Sequence, residues 1–255
     1  MKIDFYYWGN MCPITIEILN LMSEYKDKID IHMYDISDDS LACKINKIFF
    51  PFLTVLNDTN RYYSPISRKF MEEVVIGILP EEKPFISNLG TEMISKTIKP
   101  ITKDSYIVAS QCTSRKNCLG CAGKIEMYNS FNEEIYGFMN VSENKLLGGA
   151  EVVPSKLVPY DIPKNENTAF ITCVYLSNKE YDYKSAPLQA LENYLKNNYK
   201  KVVVISDEIG VCPNGNLDFF LKNNYTDEGV IFEDSYCKLH LMSKVLLYKA
   251  TEMSP

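Results

Sequence analysis

Apolar and polar positions follow two periods along this chain. Lys2 to Trp8 alternates and then runs apolar, which predicts a first strand. After a turn at Gly9-Asn10-Met11, Ile14, Ile18, Leu21, Met22 and Tyr25 recur at helical spacing. Ile29 to Ile36 reads as a second strand and Ser40 to Lys47 as a short helix. Pro51 leads straight into an apolar strand, Arg61 to Ser64 makes its partner, and Ile66 to Leu79 closes the half as a helix. Pro80 to Lys103 holds three prolines (Pro80, Pro84, Pro100) and reads as a surface linker with one short helix near Thr91 to Lys96.

The pattern then resumes. Tyr106 to Ser110 looks strand-like, and Cys121 to Phe131 reads as a helix. Glu134 to Val141 and Lys145 to Val153 form a hairpin across Ser142-Glu143-Asn144, and Pro154 to Pro163 is a proline-rich crossover. The clearest stretch is 168–206. It predicts a buried strand (Ala169 to Leu176), a polar turn (Ser177 to Lys184), a helix and a return strand (Val202 to Ile205). The helix carries Leu188, Leu191, Tyr194 and Leu195, with Ser185 as its N-cap and Pro187 tolerated in its first turn. Leu217 to Asn224 is a short helix, and Gly229 to Asp234 with Tyr236 to Leu247 a closing strand pair. The fold class is therefore α/β (α+β). Two domains are expected, 1–80 and 104–255, joined by the linker 81–103.

Composition narrows the partners. With 46% hydrophobic residues in 255, each half can bury a core. A net charge of -6 argues against non-specific binding to nucleic acid or to an anionic membrane. No apolar run reaches the ~18 residues that a spanning helix needs, and the N-terminus has no signal-peptide pattern. A cytoplasmic protein follows, in which eight cysteines are expected as thiols or ligands rather than disulfides.

A strand, a polar loop, a helix N-terminus and a return strand can hold an anion, because free N–H groups and the helix dipole face the loop. The segment from about Asp104 onward resembles the GNAT superfamily of acyl-CoA-dependent N-acetyltransferases, with a mixed sheet and flanking helices. In that family a Q/R-x-x-G-x-G/A loop binds the pyrophosphate of coenzyme A. Laid on SAPLQAL as the helix opening, the motif falls on Lys179-Glu180-Tyr181-Asp182-Tyr183-Lys184, followed by Ser185. Lys179 stands for the basic or amide residue, and Asp182 and Lys184 stand where glycines are expected.

The resemblance also implies acetyl-CoA as cofactor and a small-molecule or peptide amine as acceptor. Cys173, Val174 and Tyr175 of the central strand would offer backbone donors, and Glu151 is a candidate base. Phe219 to Tyr225 lies in register with the family's F-Y-E-K-x-G-F signature. Its acid tyrosine falls on Phe220, which leaves Tyr225 as a substitute, and its glycine falls on Asn224. Two functions follow: a divergent N-acetyltransferase, or a silent module of that shape that binds another ligand or a partner.

The first 80 residues, β-α-β-α-β-β-α, resemble the thioredoxin/glutaredoxin fold. Cys12 matches the nucleophilic cysteine, Thr15 replaces the resolving one, and Pro51 matches the cis-proline. A third function is thus a monothiol redox protein working through Cys12, with thiolate character expected at a helix start. Elsewhere Cys112-x5-Cys118-x2-Cys121 is the most metal-like cluster, but a structural zinc wants four ligands, with only the distant Cys237 or His240 to add. Unpaired thiols are the plainer reading, and no metal is expected. His32 and His240 fall in strand patterns and are expected to be structural.

Overall fold

A computed structural model describes residues 1–84, 86, 90–113, 119–131, 133–210 and 214–247. They fall into two compact units. The first comprises Met1–Pro84, Lys103–Glu134 and Pro159–Ile162; the second comprises Phe85–Thr102, Ile135–Val158 and Pro163–Pro255. The sequence pattern divides the chain differently, at 80 and 104.

In the first unit the elements run β1 (Lys2–Tyr7), α1 (Thr15–Ser23), β2 (Asp30–Asp35), α2 (Ser40–Asn46), β3 (Phe52–Leu56), β4 (Asn60–Tyr62) and α3 (Arg68–Val75). The four strands lie in the order β2-β1-β3-β4. β1 runs parallel to β2 and antiparallel to β3, and β4 is antiparallel to β3. Ile3, Phe5, Phe52 and Leu56 pack against Ile18 and Met22 of α1 and Met71 and Val74 of α3, burying the apolar stripes the periodicity marks. The predicted element order is observed in full.

The chain continues with β5 (Glu92–Met93) and β6 (Thr97–Ile101). The expected helix near Thr91 to Lys96 is absent; this stretch joins sheets instead. β6 pairs antiparallel with residues 137–141, and the buried Asn140 side chain donates to Ile94 O at 2.8 Å and accepts from Lys96 N at 3.0 Å. Sheet partners far along the chain overrode a weak local pattern. The first unit then takes α4 (Tyr106–Ala109) and α5 (Cys121–Ser130). The strand expected at 106–110 is therefore a helical turn. Its Tyr106 is fully buried, with the Lys124 ammonium 5.8 Å from its ring and 5.3 Å from that of Tyr128.

The second unit adds β7 (Gly137–Ser142), β8 (Lys145–Pro154), β9 (Thr168–Tyr175), β10 (Tyr181–Asp182), α6 (Ser185–Leu195), β11 (Lys201–Asp207), α7 (Leu217–Lys222), β12 (Thr226–Glu233) and β13 (Lys238–Val245). Seven strands form one mixed sheet in the order β12-β13-β11-β9-β8-β7-β6, while β10 pairs separately with β5. Only β9 and β11 pair in parallel within the large sheet. One face buries Ala150, Val152, Ala169, Ile171, Val202 and Val204 under Leu188, Leu191 and Leu195 of α6. Burying each such leucine contributes about 2 kcal/mol. Among the described residues no helix is long and apolar enough to cross a membrane.

Candidate functional site

The parallel pair is where the large sheet opens. β9 and β11 pair only over Thr168–Phe170 and Lys201–Val203, at their first residues. On its other side β9 carries a bulge: Glu151 faces Cys173 while Val152 faces Ile171, so Thr172 is the extra residue. Beyond the paired segment a polar side chain bridges the two strands. Asn214 is buried; its Oδ1 accepts from Val174 N at 3.2 Å and its Nδ2 donates to Ile205 O at 3.0 Å. Ser206 Oγ also donates to Gly215 O at 3.1 Å. The Val174 amide, one of the three central-strand positions expected to offer donors, is thus engaged within the chain.

The loop after β9 is closed in the same way. Leu176 turns the chain at φ 57°, a left-handed conformation uncommon for a branched residue. Asn178 Oδ1 accepts from Glu180 N at 2.9 Å and Tyr181 N at 2.6 Å, and Ser177 Oγ accepts from Tyr183 N at 3.1 Å. Asp182 is buried, and its Oδ1 accepts from Lys184 N at 2.8 Å and Ser185 N at 3.1 Å. Its Oδ2 accepts from Ser185 Oγ at 2.6 Å, and that hydroxyl accepts from Asn223 Nδ2 at 3.0 Å. Ser185 is therefore not the N-cap. It opens α6, while Asp182 supplies the capping carboxylate from three residues earlier.

This geometry tests the implied cofactor. A pyrophosphate at a helix start needs unpaired N–H groups and a close backbone approach. Here the amides of Glu180, Tyr181, Tyr183, Lys184 and Ser185 all have acceptors from the loop itself. A carboxylate already stands at the positive end of α6. The Lys184 ammonium is buried 4.1 Å from the Phe219 ring centroid, and burial holds its pKa below the usual lysine range. Lys179 alone of the motif's cations is exposed. The residues present do not fit the pyrophosphate of coenzyme A, and no chemical step through it is derived.

The catalytic candidates also lie inside. Glu151 is fully buried on β8, where a general base would have to reach a substrate proton. Tyr225 is not an acid poised at the divergent strands. It belongs to the core, 5.2 Å from the Phe220 ring, where burial and then the Glu192 carboxylate push its pKa well above the ordinary tyrosine value. Phe220 is fully buried, and Asn224 takes the left-handed φ of 62° expected where the family has glycine.

In the first unit Cys12 is half-buried and forms no disulfide. α1 begins only at Thr15, whose N–H donates to Cys12 O at 3.0 Å, so Cys12 precedes the helix rather than opening it. Pro51 O accepts from Trp8 N at 2.9 Å. Tyr160 of the expected crossover is buried edge-on to Trp8, and Asp161 lies 3.8 Å from Lys44. Burial raises the Tyr160 pKa well above ordinary, with Cys43 and Cys12 adding to it.

The cysteine cluster is corrected in part. Cys112 forms no disulfide, but Cys121 is disulfide-bonded and so offers no thiolate to a metal; Cys118 lies outside the described residues. Among the described residues no group of three His, Cys, Asp or Glu side chains could hold a metal. His240 instead lies between Asp227 (2.9 Å) and Glu208 (3.1 Å), and His32 beside Asp4 (3.2 Å). Sequence reasoning missed Ser177, Asn178 and Asn214. The signal was present for the first two, since Ser and Asn at a loop start commonly bond amides two or three residues on.

No family model matches this chain. No curated protein matches it either. Among solved structures it is similar to an N-acetyltransferase from Staphylococcus aureus Mu50, with 15% identity and a TM-score of 0.45 over 59% of this chain and 98% of that one. It is also similar to yncA, a putative acetyltransferase from Salmonella typhimurium crystallised with acetyl-CoA, with 10% identity and a TM-score of 0.45 over 64% and 98%. A third is the aminoglycoside 6'-N-acetyltransferase from Enterococcus faecium, with 14% identity and a TM-score of 0.43 over 60% and 99%. Likenesses this remote say nothing of the activity of this chain.

Proposed function

We propose that this protein joins a thioredoxin-like module to a GNAT-like module, and that the second works by binding a ligand or partner without acetyl transfer. Support for the shape comes from the order hairpin, strand, helix, strand, helix, strand pair over β7 to β13, which agrees with the order on which the sequence resemblance rests. The observation that carries the functional reading is the Asp182 carboxylate on the Lys184 and Ser185 amides. An anion built into the chain stands where the cofactor's would.

The test is thermal unfolding of the full chain with and without 1 mM acetyl-CoA, with free CoA as control. The expected result is no shift with either. A ligand present at a hundred times its dissociation constant would add about 2.7 kcal/mol, a rise of several degrees for a chain of this size. Such a rise would favour the second reading, acetyl transfer to a small-molecule or peptide amine. The divergence of β9 from β11 and the bulge at Thr172 favour that reading.

A further inference from the structure

The second unit buries an ammonium that its neighbours do not hydrogen-bond. Lys184 is only 4% exposed, and no described residue accepts a hydrogen bond from its Nζ. Asp182, two residues earlier, is already committed, because its oxygens accept from the Lys184 and Ser185 amides and the Ser185 hydroxyl. What the ammonium faces is the Phe219 ring, 4.1 Å away at its centroid. Gly215 leaves the space: a Cβ there would lie 3.1 Å from Lys184 Nζ, and its φ of 94° suits glycine. Gly215 follows Asn214, whose side chain bridges the parting of β9 from β11, so the amine stands beside that opening. Desolvation makes such an amine easier to deprotonate than a surface lysine, although Asp182 and then Cys173 oppose the shift. An unpaired buried ammonium is costly to the fold, and groups of this kind concentrate at functional sites. A lysine desolvated against apolar surface is also the form in which this side chain acts as a nucleophile.

We propose that Lys184 Nζ is a covalent capture site for a small aldehyde, whose apolar substituent lies against the Phe219 ring. This names the ligand class for the binding role given to the second unit, and it rests on that reading. The deprotonated nitrogen attacks the carbonyl carbon. A C–N bond forms, the C=O electron pair moves to oxygen, and a proton passes from nitrogen to that oxygen. The carbinolamine takes up a proton from solvent and loses water, leaving a C=N bond with the positive charge on nitrogen. One amine, one aldehyde and one proton thus give one iminium ion and one water, with no oxidant or reductant consumed. The surroundings favour this product over an amide. An iminium keeps the cation that the Phe219 face and the Asp182 carboxylate attract, whereas acylation would discard it.

The experiment exposes the full chain to propionaldehyde with sodium cyanoborohydride, which fixes an iminium as a propyl amine, and quantifies the labelled lysines by mass spectrometry. At pH 7, Lys184 is expected to be labelled at least about tenfold faster than the exposed Lys26 and Lys179, because more of it is deprotonated. The ratio should fall toward one as pH approaches the ordinary lysine value of 10.5. Labelling of Lys184 should also saturate with aldehyde concentration, while that of the exposed lysines rises linearly. Labelling no faster than at Lys179 at pH 7, or a linear dependence at Lys184, would overturn the proposal. Saturable labelling beside a melting rise in acetyl-CoA would keep this site and remove the reading without acetyl transfer. Slow labelling with no such rise would do the reverse.

Discussion

The start of α6 is closed by a carboxylate from its own loop, while the start of α1 has no side-chain acceptor and leaves Cys12 half-exposed three residues ahead. The difference shows how a helix start is made available or withdrawn. At α6, Asp182 satisfies two amides and sets its negative charge against the positive end of the dipole, so a second anion meets repulsion and finds no free N–H. At α1 the Thr15 amide is met by a backbone carbonyl, and the acidic residue of the first turn, Glu17, lies inside the helix rather than capping it. In the second unit the groups a cofactor would use therefore hold the fold together.

The comparison can be broken most directly at Asp182. Replacing it by Ala leaves two buried amides and the Ser185 hydroxyl short of an acceptor, and is expected to cost about 3 kcal/mol in urea unfolding. Asp182→Asn, which keeps one acceptor, should lose less than half of that. A loss below about 0.5 kcal/mol for Asp182→Ala would mean that the carboxylate does not hold α6. Next comes Asn214→Ala, expected to cost about 2 kcal/mol through the orphaned Val174 N–H and Ile205 carbonyl. Faster hydrogen exchange at Val174 would locate that loss.

Lys184→Met sharpens the comparison. Desolvation lowers the folded-state pKa of Lys184 below its ordinary 10.5, so the unfolded chain holds this proton more tightly. Its cost is present in full below the folded value and fades as pH rises toward the unfolded one. The Met variant should therefore gain up to about 1 kcal/mol at pH 7 and lose that advantage near pH 10.5. A net loss at pH 7 would mean that the ammonium contributes more against Phe219 than its burial costs.

The smallest effect is expected on acidification. Burial alone would raise the Asp227 carboxyl, but the Gly229 amide and His240 outweigh it and hold the pKa below its ordinary 3.8. A depressed carboxyl stabilises the fold fully above its unfolded value, and that contribution is lost as pH falls through the folded one. Between pH 5 and pH 3 the melting temperature should fall, and Asp227→Asn should remove about 2 °C of that fall. An identical fall in the variant would count against the pairing with His240.

Much of the architecture was legible in the chain. The strands of the first unit, its helices α1 to α3, and the strand-helix-strand run from Thr168 to Asp207 appear close to where hydrophobic spacing puts them. Each has enough apolar residues on one face to declare its period. β5, β6 and α4 were misread because their local signal is weak: Thr97–Ile101 contains a proline, and Tyr106–Ala109 is a single turn. The fate of Cys121 was misread for another reason, since an oxidised cysteine depends on a neighbour that spacing alone does not identify.

By itself the sequence determined that the two loop glycines are missing, that an aspartate stands in place of one, and that Thr15 stands where a second cysteine would follow Cys12. Composition and covalent order suffice for such facts. Only the tertiary structure decided what they mean. Asp182 could have pointed to solvent, and it was the three-residue path from its carboxylate to the Ser185 amide that made it the internal anion of α6. Hydrogen bonds act over a few ångströms, and distances of that order between residues far apart in the chain, such as Ser185 and Asn223, exist only once it has folded.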